Sequence, residues 1–386
     1  MPAVERVLVV GAGIAGSTLA VALARRGIAV ELAEIQEVWR PVGVGLTLTG
    51  PALRALRSVG LIDRAVAEGA PLYRFAVGNE RTEVTAMEEL PRLNGERYPA
   101  LVQLGRPAMH ALLAEAVCAA GVPVRLGATV DEIDAIGSEV GGRTVCAVRF
   151  RDGTRSHYDL VVGADGVHSR VRALAFPELP APRFTGQAVW RAMVDWPAEL
   201  AGSFDEGTMY MFYGPRNKAG VVPTSAHQLY IFLVENIAAR ARPASERLPE
   251  LLRDQLSDYT GFLAVLRERI TEPSQVVWRA LEVLLVPAPW HRGAAVLIGD
   301  AAHTTTPHLA SGAGIAIEDA IVLAEELAGA RPVGDALPRF TARRYERCRM
   351  VVENSATLGE WERTTPPGAD PVALTTRSWA RLAEPI

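Results

Sequence analysis

The sequence predicts an α/β fold: a domain built on parallel strands, interrupted by a mostly antiparallel sheet and followed by C-terminal helices. Three observations predict it. The apolar run Val7-Leu8-Val9-Val10 passes through a glycine-rich turn directly into the helix-like segment 17–24. Residues 184–236 switch to alternating, strand-like patterning. Beyond Ala320 the apolar spacing is helical, through Ile321, Leu323 and Leu327 and again over 340–352.

The turn is Gly11-Ala12-Gly13-Ile14-Ala15-Gly16. Between a strand and a helix, such a turn is the dinucleotide fingerprint of a Rossmann-like domain. Gly11 makes the tight turn, Gly13 lets backbone approach a pyrophosphate, and Gly16 lets strand and helix pack closely, with Ala15 small beside them. The helix start offers free N–H groups to the phosphates. A second run, Ile28 to Ala33, ends at Glu34, eighteen residues past Gly16 and placed for a ribose 2′-hydroxyl. An acid there argues against a 2′-phosphate, and so against NADP at this site.

With 386 residues the chain can bury a large core and divide into two domains. A formal charge of −4 without a basic block argues against nucleic acid as a partner. Cys118, Cys146 and Cys348 are scattered and odd in number, which predicts reduced thiols and a cytoplasmic setting. The first residues carry no signal-peptide pattern, and no apolar run approaches the roughly 20 residues of a membrane span. Lys218 is the only lysine, so arginine supplies nearly all the positive charge.

Along the chain, the small, glycine-punctuated segment 39–47, with Gly45 near its end, suits close approach of backbone to a flat ring. Residues 51–60 read as a helix, and 73–77 with 82–87 as a hairpin that breaks the βαβ rhythm. Arg106 stands just before an amphipathic helix, where its guanidinium reaches a phosphate or ribityl oxygen or else forms a surface ion pair. Residues 122–130 read as one strand, with Val130 among the cofactor contacts, and 145–150 with 155–160 as a hairpin. Two buried strands then end in small residues and an acid: Leu160 to Asp165-Gly166, and Ala295 to Gly299-Asp300. A carboxylate at such an end accepts hydrogen bonds, as a ribityl hydroxyl requires. Behind the second, Pro307 leads to Gly312-Ala313-Gly314-Ile315, a helix start whose bare N–H groups suit the carbonyl edge of a reduced isoalloxazine. The expected division is 1–70, 100–180 and 285–330 for the cofactor domain, 71–99 and 181–284 for a substrate domain, and 331–386 for a C-terminal helical segment.

The ordered set Gly11-x-Gly13-x-x-Gly16, Asp165-Gly166 and Gly299-Asp300 resembles the single-component, FAD-dependent aromatic monooxygenases related to 4-hydroxybenzoate and salicylate hydroxylases. The run Gly299 to Pro307 is also similar to FAD-dependent urate hydroxylases, although Gly312-Ala313-Gly314-Ile315 stands where the family more often has Gly-Gln-Gly-Ala. The resemblance implies FAD as cofactor, NAD(P)H as transient donor without a domain of its own, and hydroxylation of a small aromatic or heteroaromatic substrate by O2 through a flavin C4a-hydroperoxide. It also implies that Pro307 lies beside the flavin's reactive edge, and that the assembly is a monomer or homodimer.

Arg191, Tyr213 and Tyr230 are the candidates for the substrate pocket: an arginine to hold a carboxylate or phenolate, tyrosines to hydrogen-bond a ring substituent. His303 and His308 read as packing, His227 as solvated, and the tail 366–386 as either a pocket closure or a partner surface. A flavin-dependent halogenase shares the fold, but its Trp-x-Trp-x-Ile-Pro segment and N-terminal-half lysine have no counterpart here. An FAD-bound sensing protein is the non-catalytic alternative.

Overall fold

The structure is a computed structural model that describes residues 3–39, 43–134, 138–140, 143–200, 202–203, 205–329 and 331–386. The strand Arg6–Val10 lies at the centre of a six-stranded sheet, parallel to Ala29–Ala33 on one side and to Leu160–Gly163 on the other. Val124–Arg125 extends the sheet beyond the first neighbour and Ala295–Leu297 beyond the second, again in parallel, and His291–Arg292 closes one edge antiparallel. Val7 to Val10 are buried without alternation because both faces of the sheet are covered, by helices and by the antiparallel strands Arg143–Phe150 and Arg155–Tyr158, whose Val148, Phe150 and Tyr158 join the same core. The helix Ile14–Ala24 packs between Arg106–Ala119 and Gly312–Ala328.

Four of the sequence motifs leave this sheet at one edge. Gly11 follows Val10, Glu34 follows Ala33, Ala164-Asp165 follows Gly163, and Gly299-Asp300 comes just after Leu297. All four are carboxyl ends of parallel strands, and the chain runs to opposite sides of Arg6–Val10. A crevice opens at such a reversal, and open α/β sheets bind their ligands there.

A seven-stranded sheet stands over that edge, in the order Val276–Val283, Arg183–Asp195, Gln228–Asn236, Lys218–Ser225, Thr208–Tyr213, Arg74–Asn79, Val84–Glu89. Its pairs are antiparallel except Thr208–Tyr213 with Arg74–Asn79, which run in parallel. One face is covered by the helices Leu248–Gln255 and Phe262–Glu268, through Trp190, Phe212, Leu233, Leu252 and Leu266. The other turns Met209, Val222, Tyr230 and Phe232 toward Val44, Leu72 and Leu101 of a small sheet formed by Gly45–Leu48, Leu101–Gly105 and Ala70–Leu72. Leu309, Leu382 and Trp379 join the tail to the body, so the helix Pro371–Ala383 packs inward on this chain: Trp379 Nε1 donates to the Leu309 carbonyl at 3.2 Å, and Arg54 Nη1 to that of Ala383 at 2.8 Å.

Several expectations need correction. Residues 122–130 form two strands, Val124–Arg125 and Val130–Ile133, because Gly127 adopts φ +66° and turns the chain from one sheet to another. Arg106 is the first residue of its helix, with Gly105 as the N-cap. The helix expected over 340–352 runs from Val333 to Thr364. Of the segment read as approaching a flat ring, residues 40–42 lie outside the described residues. No described helix is long and apolar enough to cross a membrane.

Candidate active site

At the glycine-rich turn, a Cβ on Gly16 would stand 1.9 Å from the Gly11 carbonyl oxygen, so only glycine lets the helix start this close to the strand. Gly13 is the N-cap of Ile14–Ala24 and no side chain caps that helix, which leaves its first N–H groups for a ligand. Ala15 is buried against the Gly299 turn: a Cβ on Gly299 would lie 3.1 Å from its methyl group. Glu34 Oε2 accepts the Ala12 N–H at 2.9 Å and Oε1 that of Gln36 at 3.0 Å. The same carboxylate therefore holds the turn in shape while it lines a cleft with Gly13, Trp39, Arg106 and His110. Trp39 meets His110 edge-on at 5.5 Å and donates its Nε1–H to the Ala12 carbonyl at 3.3 Å. Trp39 and His110 were not among the candidates. The available signal was the spacing of Arg106 and His110, four apart and so on one helix face.

Asp165 is committed elsewhere. Its carboxylate accepts the Ser169 hydroxyl and the N–H groups of Arg170 at 2.7 Å and Val171 at 3.0 Å, capping the helix Arg170–Ala175. Val130 is fully buried as a side chain, and its carbonyl accepts from Arg170 Nε at 2.9 Å. Both shape the wall behind the crevice.

Asp300 differs. Among the described residues no donor reaches its carboxylate, and the side chain meets open space although protein surrounds it. That enclosure raises its pKa, against the pull of His303, Arg106 and Arg279. It is held in place from below by one buried carboxylate. Asp319 Oδ2 accepts the Gly299 N–H at 2.9 Å and His303 Nε2 at 2.5 Å, and Oδ1 accepts Arg344 Nε at 2.8 Å. Gly299 has φ +59°, a conformation that a β-carbon would strain, so the Asp319 acceptor and the glycine together set the turn that aims Asp300. Arg344 also lies 2.9 Å from Glu318, which Arg347 holds at 2.8 Å. His303, Asp319 and Cys348 are close enough to suggest metal ligands, but Arg344 donates to Asp319 and reaches the Cys348 sulfur at 3.5 Å, so a cation already occupies their midst.

The network dictates a pH response. Burial works to raise the Asp319 pKa, yet His303 and Arg344 bring it down from 3.8 to about 2. For His303, burial opposes the charged ring, and the Cys348 sulfur and Asp319 overcome it, raising the pKa well above 6.5. Asp319 stabilises the fold above pH 3.8 and loses that contribution as pH falls through about 2. His303 stabilises it fully below pH 6.5 and loses that contribution only as pH rises through the elevated folded value. The expected result is a plateau of urea-unfolding midpoints from about pH 4 to about 6.5 with a decline above it, and a His303→Gln variant whose midpoints are lower on the plateau and lack that alkaline decline.

Over the crevice, Arg191 Nε donates to the Tyr230 hydroxyl at 3.0 Å. Burial raises the Tyr230 phenol above its ordinary pKa despite Arg191, so it stays protonated and can donate onward. Gly45 faces the same ring: a Cβ there would stand 2.7 Å from it. Tyr213 does not join this pair. It ends its strand 55% exposed, opposite Lys218, whereas Tyr230 pairs with Val222 four residues further along. Pro307 opens a short turn whose His308 ring is enclosed, 2.9 Å from Thr306 Oγ1 and 3.2 Å from Glu362, which also pairs with Lys218. Gly312, Ala313, Gly314 and Ile315 form the first turn of Gly312–Ala328, which no side chain caps. His227 is exposed in its turn, as read.

The residues present fit FAD: an uncapped helix start for the pyrophosphate, Asp300 without a protein donor for a ribityl hydroxyl, and a second uncapped helix start for the ring's carbonyl edge. Fold and site together define a flavoprotein built on a parallel sheet whose carboxyl edge lies beneath a roof of mostly antiparallel strands. Residues 5–355 match the FAD binding domain family. The chain belongs to that family, and it is an FAD-dependent monooxygenase of the aromatic-hydroxylase class, with NAD(P)H as electron donor. It is 33% identical over 366 residues to the 2-heptyl-3-hydroxy-4(1H)-quinolone synthase of Pseudomonas aeruginosa, covering 92% of this chain and 90% of that one. It is 32% identical over 362 residues to the 3-amino-4-hydroxybenzoate 2-monooxygenase of Streptomyces cremeus, covering 89% and 83%. In fold it is similar to Klebsiella pneumoniae HpxO complexed with FAD and uric acid, with a TM-score of 0.82, 24% identity and coverage of 98% and 92%.

Proposed function

We propose that FAD lies with its adenosine end in the cleft of Glu34, Trp39 and His110 and its ring system near Asp300 and Pro307, and that a planar aromatic or heteroaromatic substrate fits between that ring and the seven-stranded sheet. Segments 1–70, 100–180 and 285–330 form the FAD-binding domain, 71–99 and 181–284 the substrate domain, and 331–386 a C-terminal helical segment. The protein works in the cytoplasm, as a monomer or homodimer. The observation that carries the reading is the convergence of motifs from residues 11, 34, 165 and 299 on one sheet edge, under a roof that turns Arg191 and Tyr230 inward.

Bound FAD, reduced by NAD(P)H, supplies activated oxygen: one atom enters the substrate ring and the other leaves as water. The protein holds and shields. Asp300 would anchor the ribityl chain, and the uncapped N–H groups at Gly312 to Gly314 would favour negative charge on the ring's carbonyl edge. Arg191 fixes the Tyr230 hydroxyl, which donates to a substrate oxygen or nitrogen and orients the ring. Met193, Met209, Phe232 and Val222 exclude water from that face. Relatives named for a quinolone and for an aminohydroxybenzoate support a planar aromatic or heteroaromatic substrate.

The test is turnover under labelled O2 with a panel of phenols, hydroxybenzoates and quinolones. The expected result is substrate-stimulated NAD(P)H consumption with one labelled oxygen in the product. Stimulated consumption that yields only hydrogen peroxide across the panel would overturn the reading.

A further inference from the structure

The seven-stranded sheet carries two arginines on its inward face that form no ion pair among the described residues. On Arg183–Asp195, Trp190 and Ala192 point to the helix-covered core, so Arg191 points inward; on Val276–Val283, Val276 and Trp278 point to that core, so Arg279 points inward as well. Arg191 pairs in register with Val277, and Arg279 with Val189, which makes the two arginines diagonal neighbours on adjacent antiparallel strands. Such neighbours stand about 7–8 Å apart, within reach of one small anion between long side chains.

Neither arginine has an ion pair among the described residues: Arg191 is held by the neutral Tyr230 hydroxyl, and no described side chain accepts from Arg279. A further cation, Arg106, lines the cleft with Gly13 and Glu34 and feels both arginines. Asp300 is the one acid acting on both Arg106 and Arg279, while Arg191 acts against both and Arg242 against Arg279, which leaves the roof with an excess of positive charge. Like charges held this close with one acid between them destabilise the protein alone. A ligand anion relieves that repulsion, and arginine's planar fork suits a carboxylate or an ionised enol.

We infer that this enzyme's substrate is an anionic ring compound, with Arg191 and Arg279 forming a clamp for its carboxylate or enolate and Arg279 setting the discrimination against neutral rings. The inference rests on the substrate position given above and adds the charge of the ligand. It separates the two kinds of relative, one named for a 2-heptyl-3-hydroxy-4(1H)-quinolone and those named for an aminohydroxybenzoate or urate.

The experiment uses the FAD-loaded protein and three probes: 3-amino-4-hydroxybenzoate, its methyl ester, and 2-heptyl-4-quinolone. Binding is read from the change in the flavin's visible spectrum, independently of turnover. The acid is expected to bind at least about tenfold more tightly than its ester, the factor that one charge-assisted contact supplies. Arg279→Met removes the preference, and Arg279→Lys restores most of it. Equal binding of acid and ester, a preference for the quinolone, absence of any spectral change with the acid, or a preference that survives Arg279→Met would each overturn the clamp. The labelled-oxygen test can succeed with a neutral substrate while the clamp fails, so the two ideas fall separately.

Discussion

Gly16→Val yields a colourless protein. Its first side-chain carbon would stand 1.9 Å from the Gly11 carbonyl oxygen, inside any permitted contact, and that oxygen belongs to a turn pinned by the Gly11 N–H, which donates to the Ala33 carbonyl at 2.7 Å. The helix start must move, and with it the N–H groups that face the pyrophosphate. The measurement is the ratio of absorbance at the flavin's visible band to that of the protein, together with the far-ultraviolet circular dichroism. The contrast is Gly13→Ala, where an added methyl meets no protein atom within 4 Å. That variant keeps the fold and loses only FAD affinity. If Gly16→Val binds FAD at the ordinary ratio, the close approach of strand and helix is not what holds the cofactor.

The second large effect is at Asp319. Asp319→Ala leaves Arg344 and His303 buried without their shared carboxylate and strips the Gly299 N–H of its acceptor. Removing one partner of a buried charge network costs about 3–5 kcal/mol, read here as a fall in the urea midpoint at constant slope. Asp319→Asn keeps an acceptor for Gly299 but not the charge, so it recovers part of the FAD affinity and little of the stability. An Asp319→Ala protein as stable as the parent would mean that the network carries no weight in the fold.

The two predictions differ in how far the sequence alone reached them. The Gly16 turn was legible because all its parts are local: strand, glycines, helix and terminal acid lie within 34 residues, and each constrains the next. Asp319 was not. Its partners are Gly299, His303 and Arg344, brought together by the packing of three separate segments, and an acid inside a helical run reads from sequence as a solvated face. Asp165 was singled out for its place at a strand end, which is correct, but its carboxylate serves Ser169, Arg170 and Val171, a local cap that competes with any ligand role. Arg191 and Tyr230 were found by strand alternation, yet alternation could not separate them from Tyr213, because position along a strand depends on a register that only the folded sheet supplies. Arg279 and the helices 248–255 and 262–268 went unread for a like reason, since their identity lies in what covers the far face of the sheet.

The order of strands in the parallel sheet has a consequence for how the chain is made. Arg6–Val10 and Ala29–Ala33 are synthesised at once, but their neighbour Leu160–Gly163 comes much later and Ala295–Leu297 later still. On the ribosome, the nascent N-terminal segment therefore waits with an apolar strand edge unpaired until residue 163 has left the exit tunnel, and the edge of Leu160–Gly163 waits in turn until residue 297. Slowing translation between residues 34 and 160 lengthens that exposure, and it is there that holdase chaperones would have most to bind.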